Sequence, residues 1–215
     1  MTPLRLAAAL LCCAAPVVMP APASAQVQPA PDAADLARVA DYIRQTKSLV
    51  ANFSQTDRKG QTLTGKLTLK QPGKIRFQYQ QGVPMLIVGD GKALTLIDYE
   101  VRQVQRWPIK SSPLGALLDP ARDFTRFSKV IQTGDSSVLS IEAHDPKRPE
   151  FGTITLVFKR DASAPAGLNL YGWVARDAQG TRTSVRLSGQ RYNGPVADSA
   201  FAWRDPRPSG PRGGG

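Results

Sequence analysis

From Leu63 onward the apolar residues of this chain fall on alternate positions, and the alternation stops and restarts at turn signals. Leu63, Leu67 and Leu69 alternate with Thr64, Lys66, Thr68 and Lys70; Ile75, Phe77 and Tyr79 alternate with Lys74, Arg76 and Gln78. Successive side chains of a β-strand point to opposite faces, so this pattern gives strands with one apolar and one wetted face. Gln71-Pro72-Gly73 between the two runs is a tight-turn signal, which makes them a hairpin. Gly65 interrupts the apolar series, and a bend is expected there.

Further runs read as strands at 85–88, 93–97, 101–107, 129–132, 138–143, 153–159, 168–175 and 181–191, with a last short strand at 199–203. Asp90-Gly91, Gly134-Asp135 and Gln179-Gly180 supply the turns between neighbours. Before them, Leu36, Val39, Ala40, Ile43 and Val50 recur at helical spacing. This predicts one amphipathic helix over 33–50, with Asp32 as its N-cap. Residues 108–127 break the strand series. Pro113, Pro120 and the apolar string Leu114, Leu117 and Leu118 read there as short helical pieces. About ten or eleven strands joined mostly by short turns favour an antiparallel meander that curls into a closed or half-closed barrel. Only helices remain to cover its apolar inner face.

The ends fix the compartment. Arg5, the apolar run from Leu6 to Ala15 and the small residues Ala23-Ser24-Ala25 form a secretory signal pattern, with cleavage expected after Ala25. The unbroken run is shorter than the ~20 residues of a spanning helix. Residues 26–32 read as a flexible Pro/Ala-rich leader, 33–203 as one domain, and 204–215 as a disordered Pro/Gly/Arg-rich tail. Both cysteines, Cys12 and Cys13, lie within the signal, so the mature chain has no disulfide and no thiol ligand. Neither fits the cleavage-point cysteine of a lipoprotein signal. The formal net charge of +11 is spread along the strands rather than gathered in one block. Export argues against a nucleic-acid partner.

Catalytic chemistry is hard to place. His144 is the only histidine and sits in His-Asp-Pro-Lys-Arg-Pro, a turn sequence that exposes it to solvent. No nucleophile elbow and no phosphate-cradling loop before a helix occurs. Gly89-Asp90-Gly91-Lys92 reads as a hairpin turn, and Asp119 and Asp123 read as loop or cap carboxylates. The expectation is no enzyme, no cofactor and no metal. What remains is a greasy face: Leu67, Leu69, Ile75, Phe77 and Tyr79, with Ile87 and Leu96, would line one side of the curved sheet. A large sheet under a small helical cover leaves room for an apolar ligand.

The order of motifs resembles one family. Asn52-Phe53-Ser54-Gln55 is similar to its Phe-x-Gln signature, and the 65–79 hairpin to its Gly-x-Leu-x-Leu…Pro-Gly-x-x-Arg-x-x-Tyr segment. Val88-Gly89-Asp90-Gly91-Lys92-Ala93-Leu94 resembles its second hairpin, and Ser112-Pro113-Leu114 with Leu117-Leu118 its helical lid. This is the LolA-type periplasmic carrier family of outer-membrane lipoproteins. The resemblance implies a half-open antiparallel barrel under a lid, with Phe53 joining the residues that hold acyl chains. It implies cargo received from an inner-membrane ATP-driven releasing complex, delivery to an outer-membrane acceptor, and a monomer. Gln71 stands where several members carry an arginine that locks the lid. Two other readings share the fold: the lipid-anchored outer-membrane acceptor, and a binding or sensor module that carries nothing.

Overall fold

The computed structural model describes residues 31–109, 112, 114–118, 125–147 and 149–208. The expected signal, most of the leader, Pro113, Asp119, Pro120, Asp123 and residues 209–215 lie outside them. One helix, α1 (Pro31–Gln45), precedes eleven strands: β1 (Ser48–Thr56), β2 (Thr62–Lys70), β3 (Lys74–Tyr79), β4 (Met85–Asp90), β5 (Ala93–Asp98), β6 (Gln103–Pro108), β7 (Ser128–Ile131), β8 (Val138–His144), β9 (Thr153–Arg160), β10 (Leu168–Arg176) and β11 (Arg182–Tyr192). A short helix, α2 (Gly115–Leu118), lies between β6 and β7.

All eleven strands form one antiparallel sheet in the order β6-β5-β4-β3-β2-β1-β11-β10-β9-β8-β7. It is two meanders joined where the first strand pairs with the last, Phe53 opposite Leu187. The sheet is not closed: β6 and β7 are its two edges, and the segment carrying α2 connects them. The expected half-open barrel is the architecture of this chain.

Three sequence expectations fail. The helix does not run to Val50; it ends at Gln45, and Val50 lies in β1. The chain is captured there by the far end of the sequence. Asn193 Oδ1 accepts from the Lys47 amide at 2.7 Å, and Ser48 Oγ donates to the Gly194 carbonyl at 2.6 Å. Pro31 and Asp32, read as the end of the leader with Asp32 as the N-cap, lie inside the first turn of α1, which starts at Pro31. Nor is 199–203 a strand. Asp198–Phe201 is a 3-10 turn lying across the outer face of β3 and β4, and it adds to neither edge of the sheet. Phe201 packs on Leu86, Val88 and Ile97, the outward residues of β4 and β5. Arg76 Nη1 donates to the Ala202 carbonyl at 2.8 Å, and Lys70 and Lys74 both pair with Asp198.

The main core fills the concave side. Val39, Tyr42 and Ile43 of α1 are buried against it. The Tyr42 ring meets Phe158 edge-on at 5.0 Å and Tyr192 at 6.0 Å. The Tyr192 hydroxyl takes the Leu170 amide and donates to Asn169 Oδ1. Burial, with the neighbouring Tyr192, pushes the Tyr42 phenol well above its ordinary range. Asp35 holds Arg160 through both carboxylate oxygens at 3.0 Å and ties the start of α1 to the end of β9.

Candidate functional site

Register carries the inward residues of β2 to β5 into one row. Leu67 lies opposite Phe77, Phe77 opposite Ile87, and Ile87 opposite Leu96. On the other side of β2, Phe53 faces Gly65, and Gly65 faces Tyr79. The absent side chain lets the two rings meet above it: Phe53 and Tyr79 are edge-to-face at 5.2 Å. A Cβ on Gly65 would lie 2.2 Å from the Gln78 carbonyl oxygen and 2.8 Å from the Phe53 ring. The glycine that interrupts the sequence pattern is therefore a packing requirement. Phe77 also meets Phe53 at 5.3 Å and Trp173, from the other half of the sheet, at 6.1 Å.

Between the two halves lies a cavity of about 270 Å³. Its apolar wall is Phe77, Ile87, Leu94, Trp107, Leu114 and Trp173; Gln55, Asp177, Thr181 and Thr183 lie at the end bounded by the β10–β11 turn. Of the residues singled out from sequence, Phe77, Ile87 and Leu114 line it. Phe53, Leu67, Leu69, Ile75 and Tyr79 are buried in the same core without reaching the cavity wall. Leu96 shares their face through its pairing with Ile87 but is only half-buried and belongs to neither core cluster. Trp107 and Trp173 were missed. Trp107 follows from parity, being opposite Leu94. Trp173 does not: a bulge between Leu170 and Gly172 moves the inward set of β10 from even to odd positions. Gly172, whose Cβ would sit 2.2 Å from the Val185 carbonyl oxygen, was the available signal.

The cover over the first half is held by backbone groups. The Gly73 amide donates to the Leu118 carbonyl at 2.9 Å, and Gln71 Nε2 donates to the Leu117 carbonyl at 3.0 Å. Gln71 Oε1 turns back to accept from the Gly73 amide at 3.2 Å. Leu117 and Leu118 are buried in the core; Leu114 is half-buried at the cavity. Burying a leucine fully contributes about 1.5–3 kcal/mol, so these side chains outweigh the two amide donors that tie them. The Tyr79 hydroxyl donates to Gln55 Oε1 at 2.9 Å, and burial pushes its phenol up to about 12.

Among the described residues no His, Cys, Asp and Glu cluster could hold a metal ion, and no helix is long and apolar enough to cross a membrane. His144 ends β8, exposed, its ring 3.2 Å from the Gly152 carbonyl oxygen. The sequence matches the family described as outer membrane lipoprotein carrier protein LolA over residues 44–204. The chain belongs to that family. An outer-membrane lipoprotein carrier protein of Chromobacterium violaceum is 31% identical over 81% of this chain and 85% of its own length. One from Dechloromonas aromatica is 27% identical over 77% and 81%. Among solved structures, a LolA superfamily protein from Nitrosomonas europaea covers 80% of this chain and 97% of its own at 12% identity and a TM-score of 0.44. The match over most of each carrier supports a LolA-type carrier role.

Proposed function

We propose that this chain shields the acyl chains of lipid-modified proteins between its curved sheet and its α2 cover, and carries them through the periplasm from the inner to the outer membrane. The observation that carries this is the cavity walled by Phe77, Trp107, Leu114 and Trp173, placed where the sheet's two halves face each other without closing. Each methylene removed from water is worth ~0.8 kcal/mol, so two or three bare acyl chains crossing water would cost tens of kcal/mol. An apolar site removes most of that cost. The described polar groups on the site are hydroxyls, an amide and the turn carboxylate of Asp177, a set suited to holding a ligand at its polar end. The cargo is taken to come from an ATP-driven inner-membrane releasing complex and to pass to an outer-membrane acceptor, as the family membership suggests.

The test is uptake of an apolar fluorescent probe and its displacement by a purified lipoprotein. Phe77→Glu sets a carboxylate in the cavity wall and should abolish uptake. Lys66→Glu, exposed on the opposite face, should leave it intact. Arg76→Glu is a poor comparison because Arg76 pins the C-terminal segment. Equal effects of Phe77→Glu and Lys66→Glu, or no uptake by the unaltered chain, would sink the reading.

A further inference from the structure

The convex face of β9, β10 and β11 carries a second hollow, a groove of about 460 Å³. Its floor is Val157, Gly172 and Val174; its walls include Tyr171, Arg182 and Arg186, with the hydroxyls of Ser54, Thr56 and Ser184 beside them. Gly172 deepens it, since no side chain fits there against the Val185 carbonyl. Tyr171 is flanked by two cations: Lys159 Nζ lies 4.6 Å from the ring centre and the Arg186 guanidinium carbon 5.3 Å. Lys159, Arg182 and Arg186 are exposed, and none forms an ion pair among the described residues. Several cations elsewhere on this sheet are paired, Lys70 and Lys74 with Asp198, Arg106 with Asp90 and Lys129 with Glu142, while Lys66, Arg176 and Arg191 are, like those of the groove, without an ion pair among the described residues. Hydrogen bonds from Ser137 hold the Asp135 carboxyl low, with a smaller share from Lys159, and no acid lines the groove.

We propose that this groove binds an extended acidic segment of a partner protein, with Arg182 and Arg186 each taking a carboxylate. Arg182 and Arg186 lie four residues apart on one face of β11, a spacing of about 14 Å for an extended strand. A partner segment laid along β11 with acids at its own four-residue spacing matches both guanidinium groups, and the serine and threonine hydroxyls lie between. The chain's own tail is excluded by charge, for residues 204–215 carry three arginines against Asp205. A planar bilayer fits worse, because a recessed floor on a convex face asks for a narrow occupant. The groove backs on the cavity. Trp173 and Val185 border both hollows, Thr183 borders the cavity alone, and Val174, Ser184 and Arg186 border the groove alone. A partner seated here grips the protein without filling the cavity. That the partner exchanges cargo rests on the carrier reading; the binding itself does not.

The experiment is fluorescence anisotropy of a labelled peptide of alternating glutamate and serine with the full chain. Binding should weaken with added salt. It should fall about tenfold or more in Arg182→Gln/Arg186→Gln, and stay unchanged in Lys92→Gln/Arg102→Gln, which removes the same charge from exposed turns of the other half. A glutamine-for-glutamate peptide should not bind. Equal weakening in the two double variants would reduce the effect to net charge and overturn the site. Binding to phosphatidylglycerol vesicles with no binding to the peptide would overturn the choice of partner. Displacement of the apolar probe by the peptide would overturn the convex location. Failure of probe uptake with peptide binding intact would reject the carrier reading and leave the groove standing.

Discussion

Gln71 joins the β2–β3 turn to the cover through one neutral hydrogen bond to the Leu117 carbonyl. A net contribution of about 1 kcal/mol is expected for such a bond. Gln71→Leu should therefore lower the melting temperature of the empty protein modestly. Gln71→Arg, whose charged donor makes a bond roughly twice as strong, should raise it. Measured again with an apolar probe bound, the two shifts should shrink if the bond belongs to the closed state; identical shifts with and without probe would detach Gln71 from any latch role. Tyr79 makes a second residue-scale prediction. Its phenol sits near 12 folded, because burial disfavours the phenolate, against about 10 unfolded. Between those pH values the folded state holds a proton that the unfolded state has lost. Stability is therefore full below pH 10 and falls as pH rises toward 12, by on the order of 2 kcal/mol from this group. Tyr79→Phe should flatten that part of an alkaline unfolding profile; an unchanged slope would assign it to Tyr42 and Tyr192, whose phenols burial also raises.

Among the elements, the C-terminal strap over β3 and β4 shows what a sequence pattern conceals. Residues 85–88 read as a continuous apolar run, and such a run is covered on both faces. Ile87 points to the cavity; Leu86 and Val88 point outward under Phe201. Ending the chain after Asn193 would uncover Leu86, Val88 and Ile97. That truncated protein should bind a hydrophobic surface dye and aggregate at a lower temperature, and Phe201→Ala should move part of the way by about 3 kcal/mol. Unchanged dye binding and melting in both would show that the strap adds nothing. The strand turns and parities of β2 to β5 were legible because each hairpin is local. What escaped depends on contacts far apart in sequence. The end of α1 is set by Asn193 and Gly194, and Val50 only happens to stand seven residues from Ile43. β1 was hidden under that coincidence, although Leu49, Ala51 and Phe53 alternate. The inward turn of Trp173 needs the bulge that its strand forms against β9.

At the scale of the whole molecule, the two half-sheets are fastened along β1 and β11, and the segment carrying α2 connects their free edges. A volume of about 270 Å³ falls below the roughly 300–1,000 Å³ of typical small-ligand sites and far below several acyl chains. Interiors are close-packed and do not stretch, so the acyl loading proposed above requires a packed piece to be displaced. The cover has few described polar ties to the sheet, the amide of Gly73 and the side chain of Gln71, whereas the strands are tied to one another by continuous ladders. Two amides two residues apart separate these possibilities. The Gly73 amide donates to Leu118 of the cover, and the Gln71 amide donates to the Lys47 carbonyl beside β1. Hydrogen exchange in the empty protein should find both protected. With a lipoprotein bound, Gly73 should lose protection while Gln71 keeps it. If both amides exchange faster together, the sheet itself spreads to admit the cargo; if neither changes, the cover stays shut and the chains enter from the end bounded by the β10–β11 turn.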